Sequence, residues 1–136
     1  IIDSLKTYNL QKHATFLGYL PHKQAQQQMF DAQVLLLIEK DLEETQGIIP
    51  GKYFEYLQAK RPILGIGPKD WDVANLMAQH EAGNVFKYSE KDKIKSTLEI
   101  YFKAFMKGKL NSVSKNIQTY HRKELTQNLA NIIQAF

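Results

Sequence analysis

From Gln33 to Gly67 the chain reads QVLLLIEKDLEETQGIIPGKYFEYLQAKRPILGIG, and this stretch decides the fold. Its two ends, Gln33–Ile38 and Pro62–Gly67, are strand-length segments that, Gln33 apart, are apolar residue after residue. A strand with one buried face alternates apolar and polar side chains. Continuous apolarity predicts cover on both faces, the habit of parallel sheets flanked by helices. Between the two strands lie a polar loop, Glu39–Ile49, with four acidic side chains (Glu39, Asp41, Glu43 and Glu44), then Pro50-Gly51, then a short helix over Lys52–Lys60. Strand, helix, strand is a βαβ unit.

The unit extends in both directions. Upstream, Ile1–Gln11 has helical apolar spacing and Thr15–Leu20 reads as a short strand ending at Pro21. Pro21 suits a helix opening, because its missing N–H would have no partner there anyway. A Gln-rich helix over residues 22–31 follows, with Ala25, Met29 and Phe30 as its apolar stripe. Downstream, a helix over Asp70–His80 is expected with Asp70 as cap. After it come a turn at Gly83-Asn84, a brief strand at Val85-Phe86, and a helix from Glu90 to Lys107 capped by Ser89. Gly108 stops that helix, and a last one runs over Ser114–Ala135. The predicted fold class is α/β: a Rossmann-like open parallel sheet of three or four strands flanked by helices. It forms one domain over residues 1–136, to which the helices of residues 87–136 belong.

The 136 residues are 43% hydrophobic with a net charge of +4. That is globular composition, and the length is enough for a core without disulfides. There is no Cys, so disulfides, thiol nucleophiles and Cys-based zinc sites are excluded. The longest aliphatic run, Val34–Ile38, is far short of the ~20 residues that span a bilayer. The charge is uneven. Residues 1–86 carry 8 basic and 10 acidic side chains, whereas residues 87–136 carry 10 basic and 4 acidic. The basic tail has no run of consecutive basic residues and no aromatic-glycine pattern of an RNA-binding module, so nucleic acid is not an expected partner.

The loop entering the Lys52–Lys60 helix leaves a strand's carboxyl end, where ligands bind in open α/β sheets. The amides near Lys52 to Phe54 are expected to lack intrahelical partners and form an anion site. Lys52 in the first turn opposes the helix dipole, a placement that a bound diphosphate would justify. Glu55, one turn on, is positioned to accept both hydroxyls of a ribose. The competing reading is a surface Lys52–Glu55 pair worth a few tenths of a kcal/mol. Gly65-Ile66-Gly67 fails as a dinucleotide fingerprint because Asp70 holds the third glycine position, so it reads as a close-packed strand end. Pro68 and Asp70 follow that strand's carboxyl end. His13, His22, His80 and His121 show no metal-ligand spacing, and His22 directly follows Pro21. Trp71 reads as core packing, and Ile94, Leu98, Ile100, Tyr101, Phe102 and Phe105 as core or domain-docking residues.

Phe16-Leu17-Gly18-Tyr19-Leu20-Pro21-His22, Asp31-Ala32-Gln33-Val34-Leu35-Leu36-Leu37, Pro50-Gly51-Lys52-Tyr53-Phe54-Glu55-Tyr56-Leu57-Gln58-Ala59 and Arg61-Pro62-Ile63-Leu64, with Gly83 after the next helix, occur in this order. Together they resemble the C-terminal, donor-binding half of GT-B glycosyltransferases, particularly bacterial members of retaining family 4. The resemblance covers nearly the whole chain. It implies a hexosyltransferase-type activity in glycan or cell-surface polysaccharide synthesis, with a UDP- or GDP-sugar donor and no metal or other cofactor.

By the same resemblance, Tyr19, Leu20 and Pro21 frame the nucleobase and Glu55 holds the ribose. Pro50, Gly51 and Lys52 lie beside the diphosphate and sugar, with Lys52 as a leaving-group stabiliser. Many relatives carry a further glutamate where this chain has Gly47. The resemblance also implies a larger two-domain enzyme whose N-terminal acceptor domain and first strand precede Ile1. The expected location is cytoplasmic, with the inner membrane face as a contact surface. The alternative is a non-catalytic receiver- or flavodoxin-like binding module. A receiver needs an acidic cluster with a phosphorylatable Asp at strand ends, but Asp31 precedes a strand and only Glu39 follows one.

Overall fold

The computed structural model describes residues 2–110 and 114–135. A three-stranded, wholly parallel open sheet organises the fold, in the order β1 (Leu35–Ile38), β2 (Ile63–Gly67), β3 (Gly83–Lys87). The register aligns Leu35 with Ile63 and Ile63 with Gly83. The helices are α1 (Ile2–Thr7), α2 (His22–Asp31), α3 (Lys52–Ala59), α4 (Asp72–His80), α5 (Lys91–Met106) and α6 (Arg122–Gln134). This is the expected α/β, Rossmann-like arrangement.

One face of the sheet carries the core. Leu37 and Ile63 point into a layer made by Tyr53 and Leu57 of α3, Val73 and Met77 of α4, Trp71 and Ala82. Each large side chain buried there contributes about 1.5–3 kcal/mol. The glycines of β2 let this layer approach closely. A Cβ on Gly65 would meet Met77 and Val85 at 3.0 Å, and one on Gly67 would lie 2.4 Å from the Trp71 ring. Gly65 and Gly67 thus form a close-packed strand end.

Several expectations need correction. Continuous apolarity predicted two covered faces for β1, yet its burial alternates: Leu35 and Leu37 are buried, while Leu36 and Ile38 are 49% and 54% exposed. β1 lies at the sheet edge. Apolar sequence marks what a strand is able to bury, and its place in the sheet decides what is buried. The central strand β2 does show the predicted cover. Thr15–Leu20 is not a strand; Thr15–Tyr19 runs exposed with no ladder partner among the described residues, Leu20 is half-buried, and Gly18 takes φ +67°. Gly83 and Asn84 are not a turn but open β3. Asp70 sits at φ +60° outside the helix, and Trp71 takes the N-cap position of α4. Glu90 rather than Ser89 precedes α5, its carboxylate accepting from the Lys87 amide at 2.9 Å. The last predicted helix is split into a 3-10 turn, Ile117–Tyr120, and α6. Asn111, Ser112, Val113 and the two chain ends lie outside the described residues.

His80, 4% exposed, ties the segment before α6 to the core. Its Nδ1 lies 2.8 Å from the Lys115 carbonyl and its Nε2 lies 2.9 Å from the Tyr120 hydroxyl. A carbonyl only accepts, so in the neutral ring Nδ1 carries the proton and Tyr120 donates to Nε2. The Lys115 amide returns a bond to the His80 carbonyl at 2.9 Å. Of the hydrophobic residues expected in the core from α5, Tyr101 is half-buried and donates to Asn84 Oδ1 at 2.8 Å. Leu98, Ile100, Phe102 and Phe105 are exposed.

Tyr53 is fully buried, and its hydroxyl has no hydrogen-bond partner among the described residues. Burial, then the neighbouring Tyr120, pushes its phenol well up. Leaving a buried donor unmade costs about 1–3 kcal/mol. Tyr53→Phe is therefore expected to stabilise the fold by about 1 kcal/mol in chemical denaturation. The pH dependence has a definite sign. Below the ordinary phenol range both states keep the proton. Above it the unfolded chain ionises first, so stability falls as pH rises. Tyr53→Phe should flatten that alkaline decline, and an unchanged decline would show that the phenol is not its source.

Candidate functional site

The carboxyl ends of the three strands open on one rim, bordered by the loops that leave β1 and β2. The β1–α3 loop is anchored at several points. Thr45 is buried, with its hydroxyl 2.7 Å from the Lys40 carbonyl. The Trp71 indole N–H donates to the Ile48 carbonyl at 2.7 Å, and the Asp72 amide donates to the Gln46 carbonyl at 2.9 Å. From beyond β3, the Tyr88 hydroxyl donates to the Glu39 carbonyl at 2.9 Å. Trp71 is core, as its sequence context indicated, but its polar edge also holds the loop. Nothing in local sequence pairs Trp71 with Ile48; only a buried indole N–H seeking an acceptor hints at it.

The loop delivers Pro50, Gly51 and Lys52 to the start of α3, with Gly51 and Lys52 exposed and Pro50 half-buried. The expected anion site is smaller than the spacing implied. The Tyr53 amide donates to the Pro50 carbonyl at 2.9 Å and the Phe54 amide to the Gly51 carbonyl at 3.2 Å. A tight first turn has consumed those donors, which leaves the Gly51 and Lys52 amides with the Lys52 ammonium as the groups able to meet an anion.

Glu55 does not pair with Lys52; among the described residues no ion pair joins them. Its half-buried side chain lines a narrow groove between α3 and α2, with Gln26, Met29 and Phe30 opposite. Its charge also raises the neighbouring Tyr56 phenol, an effect second to that of burial. Tyr19, Leu20 and Pro21 immediately precede α2, with Pro21 at its N-cap and Tyr19 97% exposed. Packing of α2 on α3 brings the helix that follows the Tyr19–Pro21 loop against the helix that carries Glu55. No hydrogen bond joins those three residues to α3 among the described residues. His22 is exposed at the start of α2.

Among the described residues no group of three His, Asp or Glu side chains is arranged to hold a metal ion, and no helix is long and apolar enough to cross a membrane. Comparison of the chain with family models, with curated proteins and with solved structures gives no match.

Proposed function

We propose that the chain is the donor-binding part of a glycosyltransferase, taking a sugar from a nucleoside diphosphate and passing it to an acceptor hydroxyl. The observation that carries this reading is the placement on α3 of a cation and a carboxylate that have no ion-pair partner among the described residues. Lys52 stands at the rim of a parallel sheet, and Glu55 faces the groove against α2. Open α/β sheets bind ligands at that rim. Lys52 and the Gly51 and Lys52 amides match a diphosphate, and the Glu55 carboxylate accepts two hydroxyls of a ribose. Tyr19, Leu20 and Pro21 supply an apolar edge for the base. In this role Lys52 stabilises the charge that develops as the diphosphate leaves, so catalysis is mainly electrostatic. The acceptor and the rest of the cleft come from a companion domain.

UDP or GDP at millimolar concentration should raise the melting temperature of the chain, since a ligand of the folded state stabilises it by mass action. Glu55→Gln should weaken that binding at least about tenfold by calorimetry, the worth of one charge-assisted hydrogen bond or more. No shift with any nucleoside diphosphate would overturn the reading.

A further inference from the structure

Helix α5 carries two rows of side chains spaced by four residues. One is apolar, Ile94, Leu98 and Phe102. Beside it runs a charged row, Lys91, Lys95, Glu99 and Lys103. Residues four apart stand one above the other on a helix, so each row is a ridge, and the two frame an open groove. Leu98 is 44% and Phe102 63% exposed. The four charged residues are exposed too, and none of them is in an ion pair among the described residues. A different side of α5 meets the domain: Thr97, Tyr101 and Ala104 are half-buried, and the Tyr101 hydroxyl donates to Asn84 at the start of β3. The groove therefore begins near the carboxyl end of β3, four residues after Lys87, and runs toward the amino ends of the strands.

We propose that this face of α5 docks an amphipathic helix of another protein, one whose apolar stripe is bordered mainly by acidic side chains. Two helices bury their apolar rows by packing the ridges of one into the grooves of the other. Charged residues beside the apolar row then select the partner. Three cations to one anion call for the opposite balance across the groove. A second copy of this chain would set lysines against lysines. An anionic lipid surface would attract the three lysines but repel Glu99, which stands in the same row. The far half of the groove lies at the opposite end of the strands from the Lys52 rim, so the docking is independent of what the rim binds.

Fluorescence anisotropy on the whole chain tests this with two helical peptides that share a leucine stripe, one bordered by glutamates and its twin by lysines. The glutamate peptide should bind about tenfold tighter than the lysine peptide, and added salt should narrow the gap. Phe102→Ser, at an exposed position, should abolish binding of the glutamate peptide. Glu99→Lys should tighten that binding about twofold and Lys95→Glu should loosen it as much. Equal affinity for the two peptides, binding of neither, or binding unchanged in Phe102→Ser and Lys95→Glu overturns the inference. So does a dimer in sedimentation equilibrium that Phe102→Ser dissolves, which assigns the face to a second copy. Flotation with phosphatidylglycerol vesicles that Phe102→Ser abolishes overturns it as well and assigns the face to a lipid surface. Each of these results leaves the nucleotide reading of the rim intact.

Discussion

Gly83→Ala is expected to break the pairing of β2 with β3 and to cost about 3–4 kcal/mol, a large share of the stability of a domain this size. Gly83 has φ +151°, a region open to glycine and strained for any residue with a Cβ. A Cβ there would lie 1.9 Å from the Ile63 carbonyl oxygen and 2.7 Å from its nitrogen. Both are backbone atoms of the central strand, so no rotamer change relieves the clash. The strand itself must move away, and the amide of Ile63 that bonds to the Ala82 carbonyl at 2.8 Å goes with it. Gly51→Ala is the control. Its φ is −54° and nothing lies within 4 Å of a Cβ there, so its stability should change by less than about 0.5 kcal/mol. Urea denaturation of both variants measures the contrast. Equal stabilities would show that β3 is not locked to Ile63 in this register.

Trp71→Ala should cost about 3–5 kcal/mol, the usual loss for a large buried aromatic. The ring is 1% exposed, packed on Gly67 and among the core side chains. The cost reaches the rim as well, because the indole N–H also anchors Ile48 of the β1–α3 loop. Trp71→Phe separates the two contributions. It retains most of the buried area but loses the bond to Ile48, so it should cost about 1–2 kcal/mol. Hydrogen exchange should then speed up in the loop over residues 46–51 more than in the strands. If Trp71→Phe exchanges like the wild type there, the loop is held by its other anchors.

The sheet was readable in advance because Val34–Ile38 and Pro62–Gly67 are strand-length apolar runs with a helix between them, although only the central strand is covered on both faces. The third strand was readable only in part. Gly83-Asn84 looks like a turn by composition, yet the tertiary requirement for close approach to Ile63 places Gly83 in β3. Thr15–Leu20 failed for the opposite reason. Its strand propensity is real, but a strand exists only with a ladder partner, and none meets it among the described residues. Asp70 and Ser89 are good caps by type, but side-chain hydrogen bonds compete locally, and neither residue is placed at its helix's N-cap.

By itself, the sequence determined which segments are able to form elements, that the sheet is parallel, and that Lys52 and Glu55 occupy one helix. Those properties follow from local spacing and from the length of apolar runs. Tertiary structure alone decided which face of β1 is covered and that α2 lies against Glu55. It also decided that the amides of Tyr53 and Phe54 are spent, and that Asp72 and Trp71 hold the loop carrying Gly47 and Ile48. These are contacts between segments distant along the chain, or choices between nearby hydrogen-bond partners. No periodicity records which of several chemically acceptable partners the packed backbone brings within reach.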